Sequence, residues 1–218
     1  MKLLTLLLFA FLLSRAEISV LQNFYSDLSC TTLEEITISP ANVCLPEEAD
    51  GDGYSIKASL VDGNYSSYYW GDSSNCTGTS QLRDTKVENQ CYSRESYYGI
   101  QSWKVTSGKN FGTTLTSNDT VTVYYTDNNC TKLQQTMVKI NRNCTAQNPQ
   151  NRGVCVSITD SRGGPAGAQI VYCGSDSVIQ NINQNKSSIT DISRPGQANS
   201  LHRVPLIFCL AIILLLVL

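Results

Sequence analysis

Apolar positions along this chain follow two unlike patterns. Both ends carry long apolar runs, Leu3 to Leu13 and Val204 to Leu218, whereas the residues between them alternate. Val121 to Thr126 is a run of β-branched and aromatic residues closed by the turn formers Asp127-Asn128-Asn129, which predicts a strand and then a reversal. Met137 to Ile140 leads the chain back toward Cys144. Ser55 to Leu60 places Ile56, Ala58 and Leu60 on one face, and Glu34 to Ile38 adds a further strand. Val154 to Thr159 and Ala168 to Cys173 flank Ser-Arg-Gly-Gly-Pro-Ala-Gly. That pattern predicts a hairpin folded about Gly164 with Cys155 opposite Cys173. No stretch between the ends sustains a 3.6-residue apolar period, so helix content is expected to be low. The fold class is all-β, with small disulfide-stapled antiparallel sheets or a sandwich.

The terminal runs are processing signals in this reading. Lys2 is a short positive region, Leu3 to Leu13 an apolar core, and Ser14-Arg15-Ala16 a small-x-small cleavage site, which makes 1–16 a signal peptide. An uncut signal anchor is the alternative. At the other end, fifteen helical residues rise only about 22 Å, short of a hydrocarbon core about 30 Å thick, and no basic residue follows. Small residues, a polar spacer and an apolar tail are the parts of a GPI-attachment signal. Gly196 is the expected attachment residue, with Ser193 and Ala198 as rivals, so 197–218 is a propeptide. A single membrane span is the alternative.

The 218-residue chain has nine cysteines, and Cys209 falls in the discarded tail. Cys30, Cys44, Cys76, Cys91, Cys130, Cys144, Cys155 and Cys173 remain, an even set that predicts four disulfides in a secreted chain. Consecutive pairing gives separations of 14, 15, 14 and 18 residues and is the working arrangement among on the order of a hundred. Six Asn-x-Ser/Thr acceptors stand at Asn64, Asn75, Asn118, Asn129, Asn143 and Asn185. Three of them read Asn-Cys-Thr, where disulfide closure competes with glycan transfer. Alternation along a strand would turn each such thiol inward and its neighbouring Asn outward. A net charge of −2 with interspersed signs argues against nucleic acid. With no histidine and no CxxC pair in the mature region, no metal or other cofactor is expected.

Setting Asn64 on Asn118 brings Cys76 onto Cys130 without a gap, a 54-residue period that suggests tandem repeats at about 53–106 and 107–150 before the hairpin 151–173. Chance in an Asn/Ser/Thr-rich chain is the competing account. The ectodomain is thus 17–173, and the cysteine-free 174–196 reads as a flexible stalk.

Catalytic chemistry is sparse. The only histidine, His202, lies in the discarded tail, which removes Ser-His-Asp and Cys-His mechanisms. A carboxylate pair of the glycosidase kind is the surviving enzyme option, and the chain is expected not to be an enzyme. Glu47 to Gly53 resembles a calcium loop, but Ser59 falls where a bidentate Glu is needed, so a solvated turn fits better. Tyr68, Tyr69 and Trp70 form the densest part of an aromatic concentration. They cannot all face inward along one strand, so they are the candidate ligand contacts. The Asn-Asn-Cys-Thr to Cys144 spacing, the Ile-Val-Tyr-Cys strand end at Cys173 and the anchor signal resemble the small GPI-anchored, cysteine-rich, ponticulin-like surface glycoproteins of amoeboid protists. The resemblance implies a membrane-anchored protein. That family's actin binding maps onto no residue here. The expectation is an N-glycosylated, GPI-anchored surface protein with a recognition, adhesion or coat role. Its partners would be the membrane through the lipid, and surface glycans or another cell-surface protein.

Overall fold

The computed structural model describes residues 19–49, 52–97, 99–144, 152–159, 165–185, 187–189 and 192. The expected signal peptide, the three candidate attachment residues Ser193, Gly196 and Ala198, the apolar tail and the turn at 160–164 lie outside the described residues. Among those described, the elements in chain order are β1 (Ser19–Tyr25), β2 (Leu33–Pro40), β3 (Cys44–Ala49), β4 (Asp52–Val61), β5 (Asn64–Trp70), β6 (Gln81–Val87), β7 (Cys91–Tyr97), β8 (Ile100–Gly108), β9 (Thr120–Tyr125), β10 (Leu133–Lys139), β11 (Val156–Thr159), β12 (Pro165–Cys173) and the helix α1 (Ser177–Asn183). The all-β, disulfide-stapled expectation holds. Eight strands form one antiparallel sheet in the order β11-β12-β9-β10-β2-β1-β8-β7, and β3 to β6 form a second, four-stranded meander. Glu47 to Gly53 falls in the β3–β4 hairpin, whose last pair is Ala49 with Asp52.

The large sheet is built twice from one plan, with an offset of 100 residues. Tyr25 pairs with Leu33 across a bulge, and Tyr125 pairs with Leu133 across a bulge. In the first turn the Asp27 carboxylate accepts from the N–H groups of Ser29 and Thr31 at 2.8 and 3.2 Å. In the second, Asp127 accepts from Thr131 and Lys132 at 2.9 and 2.8 Å. Cys30 and Cys130 both sit at φ 53°, a left-handed conformation uncommon outside glycine. The two halves meet where β10 pairs with β2. Met137 faces Thr37, its own equivalent, with Thr136 on Ile38 and Val138 on Ile36. A local two-fold axis therefore runs through the Thr37–Met137 pair. The 54-residue period does not correspond to this unit, because Asn64 opens a strand of the small meander and Asn118 precedes a strand of the large sheet. The sequons coincide in spacing without sharing a structural position.

Each half of the large sheet is covered on a different face. In the second half, Val121, Val123, Tyr125, Ala168 and Ile170 are fully buried beneath Phe111, Leu115 and α1. The first half joins this core through Leu21, Ile36 and Ile38 but turns polar further along, with Asn23 for Val123 and Ser102 for Ala168, and the Asn23 amide donates to Thr106 Oγ1 at 2.9 Å. The meander of β3 to β6 covers the first half on the opposite face, where Val20 and Val105 pack with Ala58 and Tyr65.

Two expectations are corrected here. Residues 174–196 are not a stalk as far as 192. Ile179, Ile182, Ile189 and Ile192 are at most 2% exposed, the Tyr125 hydroxyl donates to the Ile192 carbonyl at 3.2 Å, and the Ile189 N–H donates to Lys109 at 2.9 Å. Polar average composition hid two pairs of isoleucines spaced three residues apart, enough to plug one end of a core. Consecutive cysteine pairing also fails. The disulfides are Cys30–Cys91, Cys44–Cys76, Cys130–Cys155 and Cys144–Cys173. Cys30 and Cys44 stand at opposite ends of β2, as Cys130 and Cys144 do of β10. A strand of that length spans roughly 25 Å, and a disulfide bridges Cα atoms at most about 7 Å apart. The final hairpin pairs Val156 with Gln169, which puts Cys155 well away from Cys173.

The four bridges span 25 to 61 residues, worth about 3.5 to 4.5 kcal/mol each if they act by restricting the unfolded chain. Non-reducing peptide mapping is expected to return these four pairs, and a Cys30–Cys44 or Cys155–Cys173 peptide would contradict the fold. The Asp27 carboxyl is held down at about 2, chiefly by the Thr32 N–H with those of Thr31 and Ser29 adding. At Asp127 burial opposes ionisation, but the hydrogen bonds from Thr131 and Lys132 prevail and the pKa is lowered. A depressed carboxylate stabilises the fold only when ionised. Its contribution is complete above the ordinary carboxylate pKa and is lost as pH falls from about 4 toward 2. An Asp27→Asn, Asp127→Asn double variant should therefore show a flatter loss of stability over that window. An acid limb identical to that of the parent would refute the assignment.

Candidate functional site

Alternation along β5 divides the three aromatics singled out from sequence. Tyr65, Ser67 and Tyr69 pair with Leu60, Ala58 and Ile56 and face the large sheet, whereas Ser66, Tyr68 and Trp70 pair with Ser59, Lys57 and Ser55 and face away. Tyr68 and Trp70 thus share the outer surface, their ring centroids 6.3 Å apart, and all three residues are half-buried. Tyr69 instead lies against Tyr54 at 5.4 Å, with the Arg83 guanidinium 5.5 Å over its ring. A cleft beside Trp70 is lined by Asp72, Ser73, Asn75 and Thr77, so the glycan acceptor Asn75 is part of its wall. Ser73 organises that loop: its hydroxyl accepts from the Thr77 N–H at 3.1 Å and donates to Asn75 Oδ1 at 2.7 Å.

The more concave surface lies between the sheets. Where Val20 and Val105 meet Ala58 and Tyr65 the layers are in contact. Beside that contact they part around a cavity of about 430 Å³. Its apolar floor and roof come from Val20, Leu45, Ile56 and Ala58, and its polar groups include Gln22, Thr37, Ser39, Ser67 and Gln135. Gln22 Nε2 donates to the Tyr65 hydroxyl at 3.0 Å and ties the two sheets across the opening. Burial raises the Tyr65 pKa, with Ser67 and Gln22 working against the shift through hydrogen bonds, so the phenol keeps its proton at neutral pH.

Gln22 and Asp84 also line a second cleft of about 530 Å³, which makes one continuous groove along the inner edge of β6. Phe24, Trp103 and Tyr92 form its aromatic wall. Phe24 and Trp103 are cross-strand partners with rings 6.3 Å apart and 19° from parallel, and Tyr92 lies 6.0 Å from Trp103. Lys86, paired with Asp84, holds its ammonium 5.1 Å from the Tyr92 ring and 5.5 Å from Trp103. None of Phe24, Tyr92 and Trp103 is among the candidate contacts Tyr68, Tyr69 and Trp70 that the sequence singles out. Tyr92 and Trp103 belong to the consecutive strands β7 and β8, and the sheet brings Phe24 of the distant β1 beside them.

The eight cysteines and six glycan acceptors are all described. Every acceptor asparagine is exposed, whereas Cys130 and Cys144, next to Asn129 and Asn143, are fully buried. Cys76, next to Asn75, is half-buried, and all three Asn-Cys pairs lie outside the strands, so it is local backbone geometry and not strand alternation that parts the thiol from its asparagine. Among the described residues no group of His, Cys, Asp and Glu could hold a metal ion, and no helix is long and apolar enough to cross a membrane. His202 and Cys209 lie outside the described residues. Four disulfides mark a secreted or extracellular protein. No family model matches the chain, and neither curated proteins nor solved structures return a match.

Tyr65→Phe removes the acceptor that Gln22 uses across the sheets. It should lower stability by about 1 kcal/mol, read as a shift of the urea midpoint without a change in slope. An unchanged midpoint would mean that this hydrogen bond does not hold the layers together.

Proposed function

We propose that the chain is an N-glycosylated surface protein, tethered by a GPI lipid and acting in recognition without catalysis. The observation that carries this reading is the joint placement of glycan acceptors and staples. Six acceptor asparagines are exposed around a β fold closed by four disulfides, the surface of a protein built to stand outside the cell. The terminal small-polar-apolar signal at 193–218 supports the lipid, with Gly196 as its attachment residue. The groove between the sheets supports recognition over a purely structural coat, because a plain sandwich core would leave few voids of that size. Its partner is a surface glycan or another cell-surface protein rather than nucleic acid. The anchored, cysteine-rich plan that the ponticulin-like resemblance implies belongs to the same reading. Actin binding does not.

Phosphatidylinositol-specific phospholipase C applied to cells expressing the full chain should release it into the medium. Peptide-N-glycosidase treatment should convert Asn64, Asn75, Asn118, Asn129, Asn143 and Asn185 to aspartate in proportion to their occupancy. Retention on the membrane with the C-terminal peptide intact would replace the lipid anchor with a membrane span.

A further inference from the structure

Recognition, on the reading just given, needs a ligand class, and the groove narrows it. The internal repeat provides a control within one chain. Phe24, Trp103 and Tyr92 are the positional equivalents of Tyr124, Gln169 and Val156, because Phe24 pairs with Trp103 and Trp103 with Tyr92, as Tyr124 pairs with Gln169 and Gln169 with Val156. The second half builds the same four-strand unit, with the same Cys–loop staple, without two of the three rings. The strand plan therefore does not require this aromatic wall.

The meander accounts for only one edge of it, since Trp103 packs against the intersheet cluster while Phe24 and Tyr92 are not part of that packing. The buried contact between the sheets centres on Val20, Ala58, Tyr65 and Val105, and the aromatic cleft opens beyond it, between β6 and the edge strand β7. Its rings stay half-buried, with a lysine ammonium resting over two of them. Next to the rings, the adjoining cavity presents hydroxyls and amides from Thr37, Ser39, Ser67, Gln22 and Gln135 over an aliphatic floor. Flat rings that meet C–H faces, adjoining neutral donors and acceptors that meet hydroxyls, are what an oligosaccharide requires of its site. A peptide strand would need an edge to pair with, and the bulge and charges of β6 disfavour pairing beside the cavity. A polyanion would require more than Lys86, paired with Asp84, and Arg83, which rests over the Tyr69 ring.

We propose that the intersheet groove binds a short neutral oligosaccharide, one sugar ring lying against the Trp103–Phe24–Tyr92 wall and the next held in the cavity by Gln22, Gln135 and their neighbouring hydroxyls. Lys86 moves off the rings as the sugar enters, remaining on Asp84. The outer pair Tyr68 and Trp70 is not the site, since Asn75 lines the cleft beside it and a glycan there would fill that space.

The chain has two tryptophans, so Trp70→Phe leaves Trp103 as the sole reporter. The full chain carrying that substitution is titrated with chitotriose, cellotriose, maltotriose and mannotriose, and with the matching monosaccharides, following tryptophan emission and heat. At least one trisaccharide should give a saturable change, and bind about tenfold tighter than its monosaccharide because it spans both parts of the groove. Gln135→Ala and Phe24→Ala should each weaken that binding by about tenfold or more, and Tyr68→Ala should leave it unchanged. Gln135 is half-buried and belongs to neither buried apolar cluster, so its variant tests the site even if Phe24→Ala fails to fold. No saturable signal from any of these sugars at millimolar concentration overturns the proposal, as does binding lost in Tyr68→Ala but kept in Gln135→Ala. Phospholipase release is independent of the titration. An anchored chain that ignores every sugar refutes the ligand class alone, and a sugar binder retained on the membrane refutes the anchor alone.

Discussion

The antiparallel seam between β10 and β2 is the constraint on which the rest of the structure depends. It joins two copies of a four-strand unit into one eight-stranded sheet, and its register makes the centre of one copy face the centre of the other. Neither copy could stand alone as it is built. The second has no inserted sheet over its Tyr124 face, and the first buries polar Asn23 and Ser102 where the second has apolar core, so each half relies on its other face for much of its apolar packing. A slip of one residue at the seam would turn the four strands of one half over relative to the other, putting the faces of one half on the wrong side. The Asp27 and Asp127 turns fix the register inside each half, since each sits beside the bulge of its own hairpin.

Covering the two halves on opposite faces also produces the groove. The meander between Cys44 and Val87 lies over the first half and reaches the second only at the seam, where Gln134 Nε2 donates to the Pro46 carbonyl at 3.5 Å, and its edge strand β6 ends over open sheet rather than over a neighbour. The charged Arg83, Asp84 and Lys86 with the bulge near Ser67 keep that edge from pairing with another strand, which leaves the space beside it accessible. Fold and site are in this sense one feature. The asymmetry that spares the core a second inserted sheet is what exposes an aromatic wall.

Much of the strand content was legible. Val121 to Thr126, Ser55 to Leu60 and Glu34 to Ile38 all fall on observed strands, because alternation and β-branched content report a half-buried strand directly. Disulfide partners were not legible, because they depend on which strand ends share a corner of the sheet. The repeat was legible but was read at the wrong period. Ser-Asp-Leu-Ser-Cys-Thr-Thr-Leu at 26–33 matches Thr-Asp-Asn-Asn-Cys-Thr-Lys-Leu at 126–133, and Cys44 matches Cys144, yet the paired sequons drew the alignment to 54 residues. Sequons report surface exposure, which any loop supplies, whereas the Asp-x-x-Cys-Thr turn reports backbone geometry. The groove was the least legible, since the pairing of Phe24 on β1 with Trp103 of the β7–β8 hairpin follows only from topology. Trp70 looked the better candidate because its neighbours in sequence were aromatic too.

The order in which cysteines find their partners carries a further consequence, set by the direction of synthesis. Cys76 pairs backward, with Cys44, whereas Cys130 and Cys144 pair forward, with Cys155 and Cys173. A chain threaded into an oxidising lumen from its N-terminus presents Asn75 when the partner of its neighbouring cysteine has already arrived. Asn129 and Asn143 arrive 26 and 30 residues ahead of theirs. Three identical Asn-Cys-Thr triplets thus meet the glycosylation machinery under different time limits, the first racing a bond that can already close and the other two given a head start by the topology of the sheet.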